Sequence, residues 1–258
     1  IPAPSLRQVI DGTIAPNKKR FGYNATFWYP KKGGINKLPL AFADQVKNLH
    51  TNCRVSKIDL ANKKINLSSG RNEKFDLLIS TIPLPELPLL IDGLPQEVER
   101  FFKKLKWNSI FNLNLGLQEN DTAGRHWVYF PQPEVNFFRV GFFHNFSATS
   151  VPAGHSALYV ETAYSKNKPI NKNKLILQNI NLLKKMNLIK ERKNIVAQQL
   201  NDIKYGNQIY DFNHRHASGG IIKFLNRHNI ISCGRYGSWR YMSMEDVILE
   251  GKQLAEKL

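Results

Sequence analysis

Two cysteines, Cys53 and Cys233, are all that the 258 residues contain, too few for a disulfide framework. Both fall in apolar segments that read as strands, so the expectation is two buried free thiols in a reducing cytoplasm. No apolar run approaches the length of a membrane span, and no secretory signal opens the chain. Ile1-Pro2-Ala3-Pro4 reads like the middle of a longer protein. Three motifs are missing: there is no P-loop, no complete Gly-x-Gly-x-x-Gly and no Gly-x-Ser-x-Gly elbow. The seven histidines include one close pair, His214 and His216, without cysteine or carboxylate partners at ligand spacing. That pair is expected at the surface, and no metal site is expected.

Acidic residues are also scarce, 20 against 37 Lys and Arg, which leaves a net charge of +17. Lysine dominates the excess and is dispersed over 18–19, 31–32, 63–64, 103–104 and 166–193. A nucleic-acid footprint would concentrate on one face of a recognisable module. The reading is therefore a solvated basic surface, with room for a phosphorylated small molecule and no nucleic-acid partner. Oligomeric state is left open.

What the chain does have is enough apolar sequence, 42%, to build a core. Leu38, Phe42 and Val46 recur at helical spacing over 36–48. Alternating segments at 54–60 and 64–68, then the almost continuously apolar 75–81, predict a β-meander feeding a strand buried on both faces. Pro83, Pro85 and Pro88 mark a domain crossing. Beyond it, 95–106 reads as helix, and 109–117, 127–130, 136–145 and 157–164 read as strands of a second sheet. An amphipathic helix follows at 172–186, then strand candidates at 194–200 and 205–210, a helix at 219–226 and a short buried strand at 230–233. A helix over 243–258 ends the chain. The predicted fold class is mixed α/β (α+β), with 1–90 and 226–258 forming one domain and 91–225 a second domain inserted in it.

Chemistry concentrates near the end, in Ile230-Ile231-Ser232-Cys233-Gly234-Arg235-Tyr236-Gly237-Ser238-Trp239-Arg240-Tyr241-Met242-Ser243-Met244-Glu245-Asp246. This is a strand, a glycine turn and a helix start, with Ser243 as N-cap. Gly234 lets backbone pass close to a ligand, and the helix start offers N–H groups and a positive dipole end. The same sequence is equally compatible with ordinary packing around a Trp239 plug.

The segment resembles the C-terminal FAD-binding motif of the flavin amine oxidase and UDP-galactopyranose mutase superfamily. Tyr29-Pro30-Lys31-Lys32-Gly33-Gly34, Val55-Ser56-Lys57-Ile58 and Asp76-Leu77-Leu78-Ile79-Ser80-Thr81-Ile82-Pro83 are similar to that superfamily's landmarks, in order. Gly22-Tyr23-Asn24-Ala25-Thr26-Phe27, Trp127-Val128-Tyr129-Phe130-Pro131, Phe138-Arg139 and Asn145-Phe146-Ser147 look like the mutases in particular. The resemblance implies the C-terminal part of an FAD-binding Rossmann-type domain with an inserted substrate domain. It implies FAD contacts from Val55, Gly234, Arg235, Met242, Ser243, Met244 and Glu245. It implies nucleotide-sugar contacts from Asn24, Tyr129, Arg139, Asn207 and Tyr241, with Arg139 on the diphosphate. From the residues themselves, Tyr129 also reads as sheet core and Arg139 as a partner of Glu134 or Glu161. No catalytic side chain is implied, because reduced flavin supplies the nucleophile that turns a pyranose into a furanose without net redox, for surface polysaccharide synthesis. The glycine-fingerprint unit is missing, so this stretch alone is expected to be colourless and inactive.

Three positions depart from the mutases. Phe146 and Asn207 stand where diphosphate-binding tyrosines are expected, and Glu245 replaces an asparagine near the flavin. The wording Ser243-Met244-Glu245-Asp246 is similar to the amine-oxidase branch. The alternative it implies is an FAD oxidoreductase acting on an amine or related substrate.

Overall fold

Residues 5–14, 27–119 and 123–258 are described by a computed structural model. An exposed helix α1 (Leu6–Ile14) and a short α2 (Lys37–Ala43) precede a meander of β1 (Val55–Asp59), β2 (Lys64–Leu67) and β3 (Asn72–Lys74), paired antiparallel. Cys53 lies in the loop before β1 and is exposed, which corrects the expectation of a buried strand thiol; Cys233 is buried as expected.

The apolar run at 75–81 narrows to β4 (Leu78–Ser80), which pairs in parallel with β10 (Ile230–Ser232). It is not buried on both faces. Leu77 and Ile79 remain 39% and 45% exposed, because β10 is the only strand paired with β4 among the described residues. A 3-10 turn over Leu84–Leu89 then leads to α3 (Gln96–Lys104), which packs on α6 (His214–Arg227). Ile58, Leu84, Leu87, Val98, Phe102, Ile221, Leu225, Ile230 and Trp239 form a first core between these elements.

A five-stranded sheet in the order β6 (Trp127–Tyr129), β7 (Arg139–Phe142), β8 (Ser156–Tyr164), β5 (Trp107–Leu117), β9 (Ile195–Gln208) carries the second core. Leu113, Leu115, Val140, Phe142, Leu158 and Val160 point to one face, against Ile180 and Leu183 of α5 (Lys172–Lys185). Burying about 100–200 Å² of apolar surface per side chain here stabilises the layer by roughly 2 kcal/mol each.

Other element boundaries differ from expectation, among them the helix expected over 36–48, which ends at Ala43. The two strand candidates at 194–200 and 205–210 form one strand, β9, because it pairs with β5 along its whole length. The ladder shifts register between Asn108 and Ile110, where Gly206 lies so close to Ile110 that a Cβ would meet its Cγ1 at 2.6 Å. The strand at 136–145 ends at Phe142 in a helical turn, α4 (Phe143–Phe146), which lets Phe143 pack on Tyr159 while Phe146 joins an aromatic cluster. Finally, α6 begins at His214, running through Gly219 and Gly220; the second glycine is required for contact, since a Cβ there would meet Phe101 at 2.4 Å. His214 is buried rather than exposed. Its ring stacks on Tyr210 and its Nε2 lies 2.9 Å from the Trp239 carbonyl, which stabilises an otherwise costly buried imidazole. His216 is exposed as expected.

Candidate functional site

Directly opposed residues in adjacent strands share a face. The register therefore lines up Tyr129, Arg139, Glu161, Asn112 and Asn201 across β6, β7, β8, β5 and β9, a polar row across the sheet face opposite α5. Arg139 Nε donates to Glu161 at 2.5 Å, and its Nη1 donates to the Tyr129 hydroxyl at 3.3 Å. Asn201 donates to the Asn112 side-chain carbonyl at 3.2 Å. Burial disfavours the guanidinium's charge, but the hydrogen bond and charge of Glu161 outweigh it and raise the pKa of Arg139. Burial likewise pushes the Tyr159 hydroxyl up.

Over this row lies a cavity of about 410 Å³ lined by Asn112, Tyr159 and Glu161 below and by Phe27, Tyr29, Trp127 and Phe146 at the side. Phe146 stacks on Trp127 and touches Phe27 and Tyr29, so the position lacking a tyrosine hydroxyl is a ring in an apolar wall. The 27–35 segment is held there by Ser147 and Thr149, whose hydroxyls donate to the Lys31 carbonyl at 2.5 and 2.6 Å. Met244 also lines the cavity, so the sheet face and the C-terminal turn meet at one place.

That turn runs from β10 through Gly234, at φ +77°, into a short helix α7 (Gly234–Gly237) and on to α8 (Met244–Ala255). Positive φ there strains any side chain. Ser243 caps α8 and forms a capping box with Asp246, so its own N–H and that of Asp246 are taken; the expected free donors reduce to the first residues of α8. Trp239 is fully buried between Trp107 and Tyr205, as the plug reading requires.

Arg235 gathers several predicted residues. Its Nη1 donates to the Met242 carbonyl at 3.1 Å, its Nη2 donates to Asn207 Oδ1 at 2.9 Å, and its guanidinium lies 4.6 Å from the Tyr241 ring centre. Glu245 is exposed in the first turn of α8. Val55 stands apart, half-buried against the first core at the start of β1, and Asn24 lies outside the described residues. Sequence reasoning missed Asn112 and Tyr159 and weighed Glu161 only as a partner of Arg139. The polar residues alternating with leucines in Leu113-Asn114-Leu115, and Tyr159 and Glu161 two apart, were the available signal.

The turn fits a flavin dinucleotide in its donor set. Ser232 Oγ and Arg235 Nε, on either side of Gly234, are buried without hydrogen-bond partners. Orphaned buried polar atoms of this kind are consistent with a polar ligand at the turn. Among the described residues no cluster could hold a metal ion, and no helix is long and apolar enough to cross a membrane.

The chain is similar in structure to reduced UDP-galactopyranose mutase, with a TM-score of 0.81 and 27% identity over 91% of this chain and 52% of that one. A protein of Exiguobacterium sp. 255-15 provisionally named a protoporphyrinogen oxidase matches with a TM-score of 0.69 at 12% identity over 87% of this chain and 50% of that one. A conjugated-linoleic-acid-producing fatty acid isomerase of P. acnes matches at 0.64 and 15%, over 87% and 52%. At those identities the last two show the fold alone. The chain thus spans about half the length of the structures it matches, and its architecture is that of FAD-dependent oxidoreductases. The family model for flavin-containing amine oxidoreductases matches residues 10–258, and the chain belongs to that family.

Proposed function

We propose that this chain supplies the substrate face and the flavin-ring turn of an FAD-dependent enzyme acting on a nucleotide sugar, in the manner of UDP-galactopyranose mutase. The observation that carries the reading is the likeness to the mutase, 0.81 at 27% identity over nine-tenths of the chain. It is supported by a polar row that presents a guanidinium beside a cavity reaching the C-terminal turn.

In this reading residues 1–90 and 226–258 belong to the FAD domain and 91–225 to the substrate domain, in a cytoplasmic protein serving surface polysaccharide synthesis. Val55, Gly234, Arg235 and the 242–245 turn hold FAD. FAD held by these residues would supply, when reduced, a nucleophilic nitrogen for chemistry at the sugar. Glu161 fixes the guanidinium of Arg139 through Nε, and Tyr129 engages Nη1, while Nη2 makes no hydrogen bond among the described residues. That free edge binds the diphosphate as a charge-assisted donor. Arg235 orients Tyr241 and Asn207 at the far side of the site. The aromatic wall of Phe27, Tyr29, Trp127 and Phe146 excludes water from the reacting sugar.

The same wall favours a second reading. Phe146 brings no hydroxyl, and an apolar cavity beside a carboxylate also suits an amine that is oxidised by flavin. Chromatography of products separates the two, using the full-length gene product. The mutase reading predicts interconversion of UDP-galactopyranose and UDP-galactofuranose by dithionite-reduced enzyme and near silence when oxidised. Turnover of an amine by oxidised enzyme, with no isomerisation of any nucleotide sugar by the reduced form, contradicts it.

A further inference from the structure

We propose that Tyr159 binds substrate, its hydroxyl donating with Arg139 to a phosphoryl group of the nucleotide sugar. The proposal rests on the nucleotide-sugar reading of the cavity and adds a residue to it. Tyr159 belongs to β8 and lines the cavity floor. The register places it one row along from Glu161, between Gly141 of β7 and Asn114 of β5.

A glycine inside a strand weakens it and often marks a place where another group passes close to the backbone. At Gly141 that group is Tyr159, since a Cβ there would run into the ring and its hydroxyl oxygen. The ring therefore lies across the Gly141 backbone, and Phe143 packs on it at 4.9 Å between ring centres. The hydroxyl fixed in this way makes no hydrogen bond among the described residues. Burial raises its pKa above the ordinary phenol value, so it stays a donor at neutral pH. A half-buried donor without an acceptor costs free energy that a ligand oxygen recovers.

A second unused donor stands beside it. The Arg139 guanidinium carbon lies 5.8 Å from the centre of the Tyr159 ring, and Nη2 makes no hydrogen bond among the described residues. A phosphoryl group, charged and with oxygens on several sides, accepts from both at once. Glu161 also lines the cavity, but its carboxylate accepts from Arg139 Nε, which offsets its charge towards an anion.

Calorimetry on the full-length gene product, with UDP and with UDP-galactopyranose, tests the proposal. Losing a hydrogen bond to a charged acceptor weakens binding by about tenfold or more, and Tyr159→Phe should do so equally for both ligands. The urea midpoint should not fall, because the hydroxyl has no partner in the protein and the ring still covers Gly141. In an Arg139→Ala background the same change should cost clearly less, because the two donors share one acceptor. A loss confined to UDP-galactopyranose would put the hydroxyl on the sugar, and equal costs in both backgrounds would put it elsewhere on the nucleotide; either overturns the proposal. A lower midpoint with unchanged UDP affinity would mark a structural tyrosine and overturn it too. UDP affinity lost in Arg139→Ala but kept in Tyr159→Phe overturns this proposal alone, whereas wild-type protein that binds no UDP overturns the nucleotide-sugar reading with it.

Discussion

Arg139 is held by a carboxylate whose side chain is only 10% exposed, and that contact makes any substitution there act twice. Removing the guanidinium takes a charged donor from the sheet face beside the cavity and leaves Glu161 as a buried carboxylate without its partner. The second effect destabilises by about 3–5 kcal/mol. Arg139→Ala is therefore expected to lower both the urea midpoint and the affinity for UDP, whereas Tyr129→Phe should touch affinity with little effect on stability. Equal midpoints for wild type and Arg139→Ala would show that the pair is not formed in solution. Glu250 gives a second test at this scale. Its carboxylate accepts from the Gly234 amide at 2.5 Å, the Ser238 hydroxyl at 3.1 Å and Arg240 at 2.5 Å. Burial raises its pKa, but these donors outweigh burial and hold it below the usual carboxylate range. A depressed folded pKa means that the stabilisation is complete above the unfolded value of about 4.3 and disappears as pH falls through the lower folded value. Glu250→Gln should thus reduce stability at pH 7 by about 1–3 kcal/mol and flatten the acid limb of the stability profile. An unchanged acid limb would contradict this assignment.

Elements at the C-terminal turn are joined by contacts that leave almost no room. A Cβ on Gly237 would meet the Ser80 carbonyl at 2.6 Å, so α7 can lie against β4 only with glycine there. Gly237→Ala is expected to cost about 1–3 kcal/mol, read as a lower thermal midpoint, and a neutral result would mean that α7 moves freely. Much of this region was legible in the sequence, because capping and turn chemistry are local: Ser243 ahead of Asp246, and Gly234 directly after the short segment 230–233, mark the helix start and the turn. What the sequence could not show was set by pairing between distant segments. The alternation in β5 shows that Asn112 shares a face with Asn114, but only the register of five strands brings it into line with Arg139. Likewise, the joining of 194–200 with 205–210 into β9 depends on the length of β5, not on the intervening residues. Cys53 and His214 were misplaced for a related reason: burial at a single position depends on what packs over it.

For the whole molecule, two cores place a polar sheet face and the start of α8 at one cavity, within an architecture that is that of FAD-dependent oxidoreductases. In the proposed function this cavity takes a nucleotide sugar, with Arg139 beside it on the diphosphate. Isothermal calorimetry with UDP, on wild-type protein and on Arg139→Ala in the same buffer and at a temperature where both are folded, tests it most directly. A charge-assisted hydrogen bond contributes about 1.5–3 kcal/mol. The variant should therefore bind UDP roughly tenfold to a hundredfold more weakly than wild type. Equal UDP affinity in the two proteins would contradict a diphosphate site at Arg139.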